Sequence, residues 1–260
     1  MLELPNDRVR IYFVRQNEIK DRELLDAYGD LLSVQENQQK KRFYFSRDSH
    51  RYLVTRALVR TVLSEYSSIK PRDWRFKPSP HGRPEVINPK PFGTPLSFNI
   101  SHTRDMIMIG IAQQSIGVDL ENINTKRPTI EIADRYFSAR EFEDLNSFPV
   151  NEQYERFFHY WTLKEAYIKA MGRGLSLPLS RFSFYFSGER DIKISFDPRL
   201  TDRPEHWRFW LLRAAKDHVA AVGLYNPEEI NHDLEIREMT PLASDSSLPC
   251  EILRATEVLT

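Results

Sequence analysis

The stretch from Asn151 to Gly174 constrains this chain more than any other. Apolar residues recur at Tyr154, Phe157, Phe158, Trp161 and Ile168, the spacing of a core-facing helical stripe over 151–171. Leu163, Ala166 and Ala170 make the opposite side apolar as well, and Gly172 and Gly174 close the pattern as a helix end. Little of such a helix is made for bulk water. Yet Glu165 falls between Trp161 and Phe158 on the helical wheel, with Lys169 one turn on. A carboxylate on an apolar face is costly unless something pairs with it.

The elements around this helix set the fold class. Val9 to Val14 alternates as a first strand, and Glu18 to Leu32 is amphipathic, with Leu24, Leu25, Tyr28 and Leu32 on one side. A polar, basic run to Asp48 follows, then a helix to Tyr66 with Leu53, Ala57, Leu58, Val62 and Leu63 inward. Strands are predicted at 74–76, 96–102, 106–112 and 116–121. A short helix over 129–136 precedes Ser138-Ala139-Arg140-Glu141, a capping box flanked by Phe137 and Phe142 as its hydrophobic staple. Beyond the long helix, strands are predicted at 182–186, 192–196, 207–212 and 219–224. The pattern fades after Pro227, and Ser244 to Pro249 reads as a loosely held tail. Helices then strands, twice over, predict an α+β chain of two similar halves. We divide it at 1–116 and 117–230, with a variable tail at 231–260.

Charge narrows the partners. Lysine plus arginine and aspartate plus glutamate are 37 each, so no global field draws the chain to nucleic acid or membrane, and any polyanion site must be local. The single cysteine, Cys250, excludes an internal disulfide framework and a cysteine-based zinc site. The seven histidines show no metal-ligand spacing. With no apolar signal core in Met1 to Arg10 and no membrane-length apolar run, the expectation is a soluble cytoplasmic protein.

Gly117-Val118-Asp119-Leu120-Glu121 carries the second clue. Residues two apart in a strand share a face, so Asp119 and Glu121 point one way while Val118 and Leu120 point into the core. Two carboxylates about 4 Å apart repel by roughly 4 kcal/mol at an effective dielectric of 20. A hard divalent cation removes that repulsion, and all-oxygen ligation suits magnesium. Glu165 is the natural third carboxylate if the long helix packs beside the strand. The plain alternatives are a solvated strand edge and a surface Glu165–Lys169 pair. Phe98-Asn99-Ile100-Ser101-His102-Thr103 ends a strand in hydroxyls around a histidine, groups that can hold phosphate oxygens or simply satisfy structure. Gly82-Arg83-Pro84 puts an arginine on a constrained loop suited to a phosphate or a flat base.

Taken in order, Gly82 to Pro84, Phe98 to Thr103, Gly117 to Glu121, Phe137 to Glu141 and Trp161 to Leu175 resemble the surfactin-type 4′-phosphopantetheinyl transferases. The motifs span about residues 80–180, and the likeness extends to about 225. The resemblance implies a pseudo-dimer of two α+β halves in one chain, a monomer with coenzyme A bound between them. It implies magnesium held by Asp119, Glu121 and Glu165 together with the coenzyme's pyrophosphate. Ser101 and His102 match positions that contact phosphates, Arg83 one near the adenine, and Lys169 one near the pyrophosphate. Arg51 with Lys41 or Arg42 are the implied counter-charges for the 3′-phosphate. Relatives can carry lysines where this chain has Glu36 and Gln39, so the run from Lys40 to Arg42 is expected to substitute.

The expected reaction moves the phosphopantetheine arm from coenzyme A to a serine of an apo acyl or peptidyl carrier protein of fatty acid, polyketide or non-ribosomal peptide synthesis. Glu165 is the expected base, Lys169 a fixed positive charge at the developing anion, and Lys164 a second cation there or a group orienting Glu165. Phe142 and Leu145 are expected to offer a rim for the carrier. The alternatives are a metal-dependent phosphohydrolase or nuclease, and a non-catalytic coenzyme A or carrier-protein binding module.

Overall fold

In the computed structural model, which describes residues 2–79, 84–124, 130–172 and 177–257, the chain forms four layers. The first half runs β1 (Arg8–Arg15), α1 (Arg22–Leu31), α2 (Val34–Lys41), α3 (Ser46–Glu65), the small hairpin β2 (Phe76–Pro78) and β3 (Pro84–Val86), then β4 (Ser97–His102) and β5 (Met106–Ala112). The second half runs β6 (Ile116–Asn122), α4 (Ala133–Tyr136), α5 (Ala139–Ser147), α6 (Val150–Met171), β7 (Phe182–Ser187), β8 (Asp191–Phe196), β9 (Trp207–Ala215) and β10 (His218–Tyr225). Three more strands follow: β11 (Asp233–Thr240), β12 (Ser244–Ser247) and β13 (Glu251–Ala255).

One sheet has the order β12-β11-β1-β5-β4 and the other β6-β10-β9-β13-β8-β7. Strand alternation explains how they stack. Val9, Ile11 and Phe13 of β1 and Met106 and Met108 of β5 face Val118, Leu120, Leu212 and Val222 of the second sheet, forming a core between the sheets. The alternate residues, such as Tyr12, Val14, Ile107 and Ile109, face α1 and α3 in a second core. On the far side, Phe157, Tyr160, Leu163, Ala166 and Tyr167 of α6 pack on Phe184, Phe209, Val219 and Ala221. The expected two α+β halves are therefore present, each a sheet with its helices outside.

The last segment departs from expectation. It is no loose tail, because β11 pairs in parallel with β1 of the first sheet and β13 lies between β9 and β8 of the second. Periodicity missed these strands because they are partly exposed and rich in charge, as in Glu235, Arg237, Glu238 and Arg254. Their order comes from partners up to 225 residues away, such as Arg10 Nε donating to Glu235 at 2.8 Å. The basic run after Ser33 is likewise ordered, as α2 with a complete Ser33/Glu36 capping box.

Candidate active site

The two sheets meet edge to edge at β4 and β6, and side chains rather than a backbone ladder make the seam. The amide of Val118 donates to Asn99 Oδ1 at 3.0 Å, and that of Leu120 to Ser101 Oγ at 3.2 Å. Strand alternation then turns Asp119 towards α6. Ser101 Oγ donates to Asp119 Oδ1 at 2.9 Å, and Lys169 Nζ donates to the same oxygen at 2.6 Å and to Ser101 Oγ at 3.2 Å. Three elements from both halves thus converge on one carboxylate.

Close approach of α6 to β6 makes this possible, and Gly117 permits it. A Cβ there would stand 2.0 Å from the Ala166 carbonyl oxygen and 2.3 Å from the Ala170 nitrogen. Gly223 lies directly opposite in the β6–β10 ladder and is also roofed by Ala166, so paired glycines make a slot for the helix. The helix ends at Gly172 with φ of 66°, a left-handed closure that suits glycine.

Asp119 is buried, and its second oxygen, Oδ2, accepts no hydrogen bond among the described residues. Burial, and next the charge of Asp119, push the Glu165 carboxyl above the usual carboxylate range, opposed by Lys169. Beside Glu165 and Lys169 opens a cavity of about 620 Å³, walled by Val86, Phe92, Leu96, Phe98 and Ile168. That size suits a cofactor-sized ligand.

Comparison with known proteins decides the family. Residues 20–114 match the family described as "4'-phosphopantetheinyl transferase, N-terminal", and residues 115–223 match the "4'-phosphopantetheinyl transferase superfamily". The 4′-phosphopantetheinyl transferase Sfp of Bacillus subtilis (strain 168) is 33% identical over 186 residues, which cover 72% of this chain and 80% of that protein. The 4′-phosphopantetheinyl transferase ffp of Bacillus subtilis is 34% identical over 199 residues, 76% of this chain and 83% of that one. The chain belongs to the 4′-phosphopantetheinyl transferase superfamily.

At this cleft the expected residues divide. Asp119, Glu165, Ser101 and Lys169 gather at the cleft, with His102 exposed at its edge. Partial desolvation at the cleft edge, and then the neighbouring charges of Arg51 and Lys169, hold the His102 imidazole below its ordinary pKa. Ser101 spends its one proton on Asp119 and accepts from Leu120 and Lys169, so in this arrangement it orients the carboxylate and has no proton for a phosphate. Arg51 is paired with Asp48 at 2.9 Å. Lys41 and Arg42 are exposed at the end of α2, and Arg83 lies outside the described residues.

Lys164 requires a correction. Its side chain is fully buried on the opposite side of α6 from Lys169, bonded to Glu141 at 2.8 Å and donating to the carbonyls of Leu179 and Phe182 at 2.8 and 2.7 Å. It is neither a coenzyme contact nor a guide for Glu165. Glu141 does close the capping box, as expected, but it also receives Phe184 N at 2.8 Å and pairs with Lys164. Nor is the helix after Ser138 an open rim: Leu145 is buried and Phe142 half-buried.

Two features escaped sequence reading. His218, on β10, reaches Asp105 at 3.1 Å and clasps the turn after β4 to the second half. A groove beside α2 gathers Arg56 and Arg60 of α3. Neither has a local signature, because each depends on partners far along the chain.

The donor set suits a hard cation in part. Asp119 Oδ2 is a buried acceptor without a donor among the described residues, and Glu165 is near enough to feel its charge. Among the described residues no three acids, histidines or cysteines stand together at metal-binding spacing. No helix among the described residues is long and apolar enough to cross a membrane.

Proposed function

We propose that this protein transfers the 4′-phosphopantetheine arm of coenzyme A to a serine hydroxyl of an apo carrier protein and releases adenosine 3′,5′-bisphosphate. The serine oxygen forms a bond to the phosphorus that bears pantetheine, the bond from that phosphorus to the bridging oxygen breaks, and the serine proton leaves to a base. The arrangement around Asp119 carries the reading: a buried carboxylate with one oxygen unpartnered among the described residues, beside a lysine and a second acid that line a cofactor-sized cavity.

Glu165 is the base, since burial raises its proton affinity towards the range where it can take a proton and later release it. Lys169 holds a positive charge for the 5′-phosphate of the departing adenosine 3′,5′-bisphosphate, which gains negative charge as the bridging bond breaks. Ser101 keeps Asp119 oriented. Magnesium, when bound, supplies Lewis-acid stabilisation of the diphosphate, and Asp119, Glu165 and Glu121 are the residues that would hold it. One chain supplies both walls of the cleft, which supports a monomer, and we place it in the cytoplasm.

The test is to incubate the protein with coenzyme A, magnesium and an apo carrier protein and to weigh the carrier. A gain of one phosphopantetheine arm is expected. Nucleotide release with no gain in carrier mass would instead make the protein a hydrolase. Glu165→Gln is expected to abolish the gain while its circular dichroism matches wild type, and near-normal transfer by that variant removes Glu165 as the base.

A further inference from the structure

We propose that His218, acting through Asp105, is a positioning residue: it locks the turn after β4 to the second half and so fixes His102 at the edge of the cleft. The proposal rests on the coenzyme A reading and adds to it a pair of residues from outside the cleft.

The seam between the sheets repeats at every second residue. Asn99 answers the Val118 amide and Ser101 answers that of Leu120. Thr103 and Asn122 come next along the two strands, and there a third strand makes the closure. His218 of β10 lies opposite Asn122 in the β6–β10 ladder. Its Nε2 stands 3.1 Å from Asp105 Oδ1, 3.4 Å from Thr103 Oγ1 and 3.3 Å from Asn122 Nδ2.

The direction of these bonds follows from the protons available. Thr103 Oγ1 donates to Asp105 Oδ1 at 2.9 Å and accepts from the Met106 amide at 3.1 Å. Asp105 can only accept, so the hydrogen between it and His218 sits on Nε2. His218 is 5% exposed, which makes this bond the inner anchor of the turn.

The first half grips the same turn from behind. Gln16, buried just beyond β1, donates through Nε2 to the carbonyls of Arg104 at 2.7 Å and Thr103 at 3.3 Å. Its own carbonyl oxygen is met by His50 Nε2 of α3 at 2.9 Å. Both halves therefore hold one irregular turn through side chains, with no strand ladder to fix it.

Strand alternation explains why the turn matters to the cleft. Ser101 and Thr103 face the seam, so His102 falls on the other face with Phe98 and Ile100, towards α3. It is near enough to Arg51 and Lys169 for their charges to act on it. His102 ends the strand, and the residues that fix its backbone are those of the turn. Asp119 is held separately, by Ser101 and Lys169. The clasp therefore governs how well the coenzyme is received and leaves the bond-breaking step alone.

The experiment measures KM for coenzyme A and kcat of transfer for wild type, His218→Ala, His218→Gln and Asp105→Ala, each with and without His102→Ala. Calorimetry measures coenzyme A binding to the same proteins without a carrier. His218→Ala and Asp105→Ala are each expected to raise KM and weaken binding roughly tenfold, with kcat within about twofold of wild type. Asp105 is 38% exposed, so its truncation breaks the clasp without opening the core. His218→Gln, whose amide can replace the Nε2 donor, should restore most of the binding. In the His102→Ala background neither truncation should weaken binding further. A fall in kcat at unchanged KM, losses that add to that of His102→Ala, or wild-type binding in both truncations overturns the proposal. The expected binding pattern with no transfer to the carrier would sink the transfer reading and leave this one standing.

Discussion

Two ion pairs sit on the same helix five residues apart, and they are built to opposite rules. In the Glu141–Lys164 pair every polar group is answered: the ammonium meets Glu141 and two carbonyls, and the carboxylate receives the Ser138 and Phe184 amides. Both side chains are fully excluded from solvent. In the Asp119–Lys169 pair one carboxylate oxygen has no donor among the described residues, and the lysine is 28% exposed at a cavity. A saturated pair has nothing left to offer a ligand and works as a bolt between α5, α6 and β7. An unsaturated one is poised to exchange partners. Charge on an apolar helix face therefore has two different meanings, and only the count of satisfied bonds separates them.

Breaking the bolt should do the most damage to the fold. Glu141→Ala strands the Lys164 ammonium in the core, and burial already depresses that lysine's pKa. We expect a loss of about 3–5 kcal/mol in urea unfolding. The double variant Glu141→Leu with Lys164→Met should recover most of it, and failure to recover would show that the pair is more than a satisfied charge.

Next comes the slot that sets the second pair. Gly117→Ala forces a methyl against the backbone of Ala166 and Ala170, and is expected to cost about 2 kcal/mol and to displace Glu165 and Lys169. Thermal melting and transfer rate should both fall, and a loss in only one would mean that the helix shifts without disturbing the site.

Lys169→Met should sharpen the contrast with Lys164. Stability is expected to change by no more than about 1 kcal/mol, because the lysine is partly exposed, while kcat falls on the order of 100-fold. A large loss of stability with modest loss of rate would make the two pairs alike.

The smallest effect is expected at a third pair on α6. His159, with Arg213, holds the Glu155 carboxyl down to about 2. A carboxyl depressed in the folded state adds stability above its unfolded pKa of about 4.3, and that contribution fades as pH falls towards 2. Glu155 is exposed by more than a third, so the amount is below about 1 kcal/mol. The melting difference between wild type and Glu155→Gln should be visible at pH 6 and shrink at pH 2.5, and a constant difference would refute the titration.

Much of this was legible in the chain. Met106 to Ala112 announced a strand buried on both faces, the Ser138–Glu141 spacing a capping box, and Asp119 and Glu165 a shared site. These signals are local or periodic. Lys164 misled because periodicity reports which face a residue occupies, not which partner waits there. The strands β11 and β13 were illegible because their order comes from neighbours contributed by distant segments, not from their own alternation.

The sequence by itself determined the two α+β halves, the helix that joins strand to cleft, and the family, since spacing and residue type carry those through local backbone preference and alternation. Only the tertiary structure decided which charged residues were finished and which were open. That depends on hydrogen-bond saturation and burial, which arise when segments such as Glu141 and Phe184, or Glu36 and Arg60, are brought together by packing.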